Sequence, residues 1–299
     1  MESSIENYMK NYDTFNKHLI YNFGIDICQG GGIGDLTSFF THFLKICINN
    51  NIKLHYLVKN TFTEKYLKLK YDKMYITLDD ITSIDIAGTI SNIKEISEIL
   101  PGKYYYVQAV ILYPYFTMDR SGTHRGQRGA AGIPFQLKDL FYFTPEVIIN
   151  VPEIFKTIDE YISIHIRLGD DMMVGKELKY DYDTRIYNYN KLSNFIIRNS
   201  SKTIFLACDN ITFRNDIKAK FFNIITTDYD ISHTSWANTT ELQTLNTLSE
   251  FYLLSNSKEI YIASYSGFSI MASRFKNIPI YDIDDLDDLD DLEDLDDLE

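Results

Sequence analysis

The chain has 299 residues, 45% of them hydrophobic, which is enough for about two domains with full hydrophobic cores. Its formal net charge is −13, but residues 284–299 contain 11 of the 42 acidic residues and no basic residue, so the rest of the chain has 31 acidic and 29 basic residues. This nearly neutral body lacks the net basic charge of nucleic-acid-binding proteins, and we expect no nucleic acid partner.

The cysteines and the hydrophobic runs indicate the class of protein. Cys28, Cys47 and Cys208 are too few and too far apart in sequence for a disulfide framework or a four-ligand zinc site. The first residues form no basic segment followed by an apolar run, and no stretch of about 18 apolar residues occurs. We therefore expect a soluble protein without a membrane span, in a reducing compartment such as the cytoplasm.

Strands and helices alternate along the predicted chain. The first unit, residues 23–58, has a short strand, a glycine-rich loop, a helix over 36–48 and a strand over 52–58. Further strands are predicted at 74–78, 104–112, 161–168, 203–207, 224–226, 259–263 and 278–281. Further helices are predicted at 90–100, 189–198, 216–221, 240–255 and 268–275. This alternation is typical of parallel sheets covered by helices, and so of an α/β fold.

Two domains and a tail are expected. Pro145 and Pro152 bracket an extended stretch, so we place one domain at residues 1–150 and the second at 151–283. In residues 284–299, Asp-Asp-Leu repeats put a leucine at every third position, which spreads the leucines around a helix instead of aligning them. We expect this acidic segment to be disordered and dispensable for chemistry.

A glycine run, Gly30-Gly31-Gly32-Ile33-Gly34-Asp35, lies between a predicted strand and the start of a predicted helix. Backbone N–H groups there can approach an anion, and the helix dipole favours negative charge, so the run suits a phosphate or a closely packed substrate. A plain tight turn is the alternative interpretation. The dinucleotide fingerprint is broken because its sixth position is Asp35 instead of glycine, which disfavours a dehydrogenase.

Residues 118–132 form a basic, glycine-rich stretch that is not expected in a core. It is either a solvated loop or a lid that closes over an anionic ligand. Its candidate residues are Arg120, His124, Arg125 and Arg128.

The strand at 161–168 carries two polar side chains, His165 and Arg167, which alternation directs to one face. Gly169 and Asp170 then end the strand, at the edge where open α/β sheets bind ligands. The alternative is a buried ion pair between Arg167 and a carboxylate such as Asp170.

Two later strand ends carry further polar groups. Asp209 ends the strand at 203–207, where it can accept a hydrogen bond from a ribose or a base, or cap the next helix. In Ser266-Gly267-Phe268-Ser269, Ser266 can cap a helix whose N–H groups suit a diphosphate. An ordinary helix cap explains this segment equally well.

Together these motifs resemble the fucosyltransferases that contain a His-x-Arg-x-Gly-Asp motif, in the α1,2, α1,6 and protein O-fucosyltransferase group. The matching stretches span about residues 24–276. They are 31–35, His165-Ile-Arg167-Leu-Gly169-Asp170, 205–209, 248–255 and 266–269. The resemblance implies a GT-B fold of two Rossmann-like domains facing across a cleft, a GDP-fucose donor and no metal or other cofactor.

The resemblance also implies roles for residues. Arg167 contacts the donor diphosphate with His165 beside it, and Asp209 with Ser266 to Ser269 lines the nucleotide pocket. The first-domain glycines approach the donor from across the cleft, and the acceptor is a glycan or another hydroxyl. The catalytic base is not identified; Asp35, Asp119 and His124 are candidates by location.

Two departures from the family pattern leave the donor open. Gly34-Asp35-Leu36 stands where many members have Gly-Asn-Gln and is similar to heptosyltransferases, and Cys208 replaces a more usual Ser or Thr. Another GT-B transferase with a different nucleotide sugar, or a non-catalytic glycan-binding module, is therefore the alternative.

Overall fold

The computed structural model describes residues 4–22, 32–59, 61–108, 136–169, 187–234 and 238–286. The chain divides into two compact units. Unit 1 comprises Met1–Thr144 with His233–Thr239, and unit 2 comprises Pro145–Ser232 with Thr240–Glu299. The first unit thus ends at the residue before Pro145, and a short later segment also belongs to it.

Unit 1 contains a five-stranded parallel sheet with the strand order β4-β2-β1-β6-β5. A short antiparallel pair, β3 with β7, accompanies it. The elements are α1 (Ser4–Asn11), β1 (His18–Asn22), α2 (Ile33–Asn50), β2 (Lys53–Leu57), α3 (Phe62–Tyr66), β3 (Leu67–Leu69), β4 (Tyr75–Ile76), α4 (Leu78–Ile81), β5 (Ile86–Ile90), β6 (Tyr104–Gln108), α5 (Leu137–Leu140) and β7 (Phe141–Phe143), with 3₁₀ turns at Tyr12–Thr14, Asp72–Met74 and Ile93–Glu98.

Unit 2 contains a second five-stranded parallel sheet, with the order β10-β9-β8-β11-β12. Every residue of β8 and of β9 is buried, because both faces of these strands are covered by helices. The elements are α6 (Pro145–Asn150), α7 (Glu153–Thr157), β8 (Ile162–Ile166), α8 (Tyr189–Arg198), β9 (Ile204–Cys208), α9 (Ile211–Lys220), β10 (Ile224–Ile225), α10 (Glu241–Leu254), β11 (Ile260–Ile262), α11 (Gly267–Lys276) and β12 (Ile280–Asp282), with a 3₁₀ turn at Ile283–Asp285.

The two sheets confirm the predicted parallel α/β fold, and three local predictions are corrected. Strand β1 at His18–Asn22 was not predicted. Residues 90–100 do not form a helix; they contain the end of β5 and the 3₁₀ turn at Ile93–Glu98. Helix α9 begins at Ile211, five residues before its predicted start, because the Asn210 side chain accepts a hydrogen bond from the Phe213 N–H at 2.8 Å and caps it.

The start of the acidic segment belongs to unit 2. The Lys191 ammonium donates to the Asp284 carbonyl at 2.6 Å, and Leu286 packs against the core. The described part of unit 2 therefore extends past residue 283. Residues 287–299, like the predicted strand around Ile25 and Ile27, lie outside the described residues.

Candidate functional site

The strand order of unit 2 defines where a ligand site is expected. Strands β8 and β11 are neighbours at the centre of the sheet, and the chain proceeds from β8 to β9 on one side and from β11 to β12 on the other. In open α/β sheets, ligands bind outside the carboxyl ends of the strands at this reversal of direction. The residues that follow β8 and β11 therefore form the candidate site.

Two hydrogen bonds join the ends of β8 and β11. The Arg167 N–H donates to the Ser264 hydroxyl oxygen at 2.7 Å, and the same hydroxyl donates to the Arg167 carbonyl at 2.8 Å. Ser264 is buried, so this link is shielded from water. It fixes the backbone of Arg167 beside the loop that leads into α11.

Asp209 holds the loop after β8 from the other side. Its carboxylate accepts hydrogen bonds from the N–H groups of Leu168 at 2.8 Å and Gly169 at 3.0 Å. Gly169 has φ of +103°, a left-handed conformation that favours glycine, and this turn brings its N–H to the carboxylate. Asp209 therefore shapes the loop that follows Arg167.

The Arg167 side chain pairs with the same carboxylate. Its Nε lies 3.4 Å from Asp209 Oδ2, and the two side chains are 14% and 6% exposed. The structure thus gives Arg167 an ion pair, but the partner is Asp209, which lies 42 positions further along the chain. Asp170, the partner that the sequence suggested, lies outside the described residues.

His165 is buried within β8, and its ring packs on Phe268 with 5.5 Å between ring centroids and 30° between planes. Arg167 lies beyond the last strand residue, Ile166. The two predicted site residues consequently contact different elements. His165 contacts the first turn of α11, and the Arg167 side chain contacts Asp209, which follows β9. They share one edge of the sheet.

The start of α11 completes the site in unit 2. Ser266 caps the helix by accepting from the Phe268 N–H at 3.3 Å, and Gly267 is the first helical residue. Ser269 is fully buried and its hydroxyl donates to the Ser266 carbonyl at 3.1 Å. The helix dipole places partial positive charge at this end, beside the loop of Arg167.

Part of the predicted glycine site lies in unit 1. Gly32 precedes α2 with φ of −74°, and its carbonyl accepts from the Leu36 N–H at 3.0 Å. A methyl group at Gly32 would lie 3.5 Å from His233 Nε2, which is ordinary contact, so the local fold does not require glycine there. Gly34 is buried. Asp35 lies in the first turn of α2, where the helix dipole stabilises a negative charge.

Several predicted site residues lie in stretches that the structure does not describe. Gly31, Asp170 and the predicted lid residues Arg120, His124, Arg125 and Arg128 lie outside the described residues. Among the residues that are described, no three His, Cys, Asp or Glu side chains are grouped to hold a metal ion. No helix in the described part of the chain is both long and apolar enough to cross a membrane.

Sequence reasoning missed a buried ion pair behind the site. Arg214 and Glu250 are 1% and 2% exposed, with Arg214 Nη1 2.5 Å from Glu250 Oε1. Arg214 also donates to the Tyr229 carbonyl at 2.7 Å, and the Thr227 hydroxyl donates to Glu250. Burial raises the pKa of Glu250, and the charge of Asp209 adds to this rise while Arg214 opposes it. An acidic residue among the apolar side chains of α10 was the available sequence signal.

Solved structures share this architecture. An Arabidopsis thaliana FUT1 variant in complex with GDP is similar with a TM-score of 0.55 and 10% identity, covering 93% of this chain and 73% of that chain. The NodZ α-1,6-fucosyltransferase soaked with GDP-fucose gives 0.52 and 9%, covering 89% and 94%. POFUT1 in complex with GDP-fucose gives 0.51 and 8%, covering 89% and 97%. The fold is GT-B.

The GT-B fold prediction is therefore confirmed by structural likeness. No protein-family model matches the sequence. No curated protein matches it by sequence either.

Proposed function

We propose that this protein is a glycosyltransferase that moves fucose from GDP-fucose to a glycan or another hydroxyl acceptor. The observation that carries the proposal is the placement of Arg167 at the strand reversal of unit 2, with its backbone bonded to Ser264 and its side chain to Asp209. The GT-B neighbours whose names include fucosyltransferase and GDP-fucose support this donor.

The chemistry requires a group that opposes negative charge. Glycosyl transfer builds negative charge on the departing diphosphate, and a fixed guanidinium stabilises that charge more in the transition state than in the bound donor. The contact through Nε orients the Arg167 side chain, and the N–H groups at the start of α11 add donors beside it. In this proposal Arg167 takes the role that a metal ion has in other transferases.

The roles of the remaining residues follow from their contacts. Asp209 shapes the loop of Arg167 and pairs with its side chain, and His165 packs against Phe268 so that the start of α11 stays beside β8. Asp35 in unit 1 is the candidate base for the acceptor hydroxyl, since it lies in the first turn of α2. A cytoplasmic location also belongs to the proposal and rests on the free, buried Cys47 and Cys208.

The donor is identified by thermal unfolding of the protein with GDP-fucose, GDP-mannose, UDP-glucose and ADP-heptose. A donor present at about 100 times its dissociation constant stabilises the folded protein by about 2.7 kcal/mol, which raises the melting temperature. We expect GDP-fucose to give the largest increase. A larger increase with ADP-heptose or UDP-glucose would contradict the fucosyl donor and favour another nucleotide sugar.

Turnover distinguishes an enzyme from a binding module. Release of GDP from GDP-fucose, measured with a panel of glycan acceptors, is the expected result. Stabilisation by GDP-fucose without any transfer or donor hydrolysis would contradict the enzyme and favour a glycan-binding module with the same fold.

A further inference from the structure

Unit 1 contains a concave site at the amino ends of its strands. Asn51 precedes β2 and Phe15 precedes β1, so residues at this site lie at the end of the sheet opposite the glycine run before α2. The cavity has a volume of about 410 Å³, within the range of ligand pockets. It is lined by Ser4, Asn7, Tyr8, Asn11, Thr14, Phe15, Ile48 and Asn51.

Amide side chains surround the cavity. Asn7 and Asn11 lie one turn apart on α1, and the Asn11 amide donates to the Asn7 carbonyl at 2.9 Å. Asn51 is the exposed residue that caps the carboxyl end of α2, in the left-handed conformation with φ of 52°. Each amide presents both a donor and an acceptor, a pattern that suits neighbouring hydroxyl groups.

Two aromatic rings provide the apolar surface. Tyr8 and Phe15 have ring centroids 5.3 Å apart and planes tilted by 33°. The Tyr8 hydroxyl donates to the Ile52 carbonyl at 2.7 Å and accepts from the Leu54 N–H at 2.9 Å. These bonds to the start of β2 fix the buried Tyr8 ring against Phe15, and the half-buried Phe15 ring gives the cavity its accessible carbon face. Such a face packs against the C–H groups of a sugar ring.

Ser4 adds an independent observation. Its hydroxyl oxygen is buried and has no hydrogen-bond partner among the described residues. Buried polar atoms without partners are rare in folded proteins because their desolvation is not compensated. Rotation of the Ser4 hydroxyl toward the cavity that this residue lines would let a ligand hydroxyl satisfy it.

Charge defines the class of ligand. None of the eight lining residues, all within 4–22 and 32–59, is charged, although 24% of the chain is Asp, Glu, Lys or Arg. An anionic ligand would lose hydration here without gaining a counter-ion. The geometry points to a binding site for an uncharged saccharide at the amino edge of the unit 1 sheet. This site is independent of the proposed donor site.

Titration calorimetry of the full chain tests this inference, with cellotetraose, chitotetraose and mannotetraose as neutral probes and tetragalacturonate as an acidic probe. We expect saturable binding of at least one neutral probe, and about 10-fold weaker binding by both Asn7→Ala and Asn51→Gly. Glycine keeps the left-handed conformation at position 51, so that variant removes the amide without straining the chain.

The matched control is Asn50→Ala. Asn50 is exposed beside Asn51 but its amide donates to the Ile46 carbonyl at 2.8 Å and does not line the cavity. The Asn50→Ala variant should bind the neutral probe as tightly as the unaltered chain does. No saturable neutral binding, equal binding of tetragalacturonate, or an equal loss in Asn50→Ala would overturn the inference. GDP binding is measured in a separate titration. Absence of GDP binding would contradict the donor proposal alone, and absence of saccharide binding would contradict this inference alone.

Discussion

The central strands of the two units, β1 and β8, hold the same third position in their sheets, but the histidine cluster of β1 lies at its amino end and the site residues of β8 lie at its carboxyl end. In unit 1, His18 begins β1, and its Nδ1 lies 3.0 Å from Nε2 of His55 on β2. Tyr12 and Tyr104 pack on these rings, so the amino-end cluster is closed by its own contacts. In unit 2, the polar groups lie at the carboxyl end of β8.

This difference shows that two parallel sheets of similar but not identical strand order place their polar groups differently. At the amino end of β1, aromatic stacking and ring hydrogen bonds satisfy the polar groups within the fold. At the carboxyl end of β8, Asp209 and Ser264 instead shape the loop that carries Arg167. Polar groups that hold a cation in a fixed geometry are typical of a preorganised site.

The largest expected effect on stability is at the buried pair in unit 2. Glu250→Ala leaves the Arg214 guanidinium buried without its carboxylate, and we expect a loss of about 3–5 kcal/mol in the free energy of unfolding. The double change Arg214→Met with Glu250→Leu should restore most of it, because no buried charge remains. Urea denaturation measures both.

The exposed pair Lys103 and Asp85 of unit 1 is the control for this prediction. Asp85→Ala should cost at most about 1 kcal/mol, since exposed ion pairs are screened by water. A loss from Glu250→Ala no larger than that from Asp85→Ala would contradict the role given to burial.

The amino-end cluster of unit 1 predicts an effect of pH on stability. Burial lowers the pKa of His18 to about 4 and that of His55 to about 3, so both are neutral in the folded chain. The unfolded chain binds protons on these residues below about pH 6.5, so stability falls as the pH drops from there toward 4. Urea denaturation at pH 7 and pH 5 measures this loss.

A substitution separates this cluster from other sources of acid sensitivity. His18→Gln should flatten the pH dependence more than His42→Gln does, because the hydrogen bond of His42 with the Ser38 carbonyl opposes the lowering of the His42 pKa by burial. Hydrogen exchange should show faster opening at pH 5 in unit 1 before unit 2. Equal stability of the unaltered chain at pH 7 and pH 5 would exclude the proposed titration.

The smallest expected effect compares helix caps. Ser266→Ala removes the side chain that accepts from the Phe268 N–H, and we expect a loss of about 1 kcal/mol in stability. Thr61→Ala removes a cap of α3 in unit 1 and should cost a similar amount. We expect only Ser266→Ala to weaken GDP binding. Equal weakening by both variants would indicate a general loss of stability instead.

Local patterns predicted much of unit 2. The strands predicted at 161–168 and 203–207 correspond to β8 and β9, and the helix predicted at 189–198 corresponds to α8. In unit 1, Gly88 interrupts β5 and accompanies a shift of register against β6, so the strand pattern was weak there. The isoleucines that follow it have helical spacing, but they form only a 3₁₀ turn.

The contacts that define the site could not be read from local patterns. Ser264 bonds Arg167 across 97 positions, and Arg214 meets Glu250 across 36. Such partners follow from the strand order and from which helix ends meet, and neither is encoded within one segment. The types of residue at strand ends were visible in sequence, while their pairing needed the fold.

Turnover of GDP-fucose by Arg167→Ala, compared with Arg198→Ala, tests the central claim most directly. Arg198 is an exposed arginine at the end of α8 and serves as the matched control. We expect at least about 100-fold slower transfer for Arg167→Ala with a retained melting temperature, and unchanged transfer for Arg198→Ala. Full transfer activity in a folded Arg167→Ala protein would contradict it.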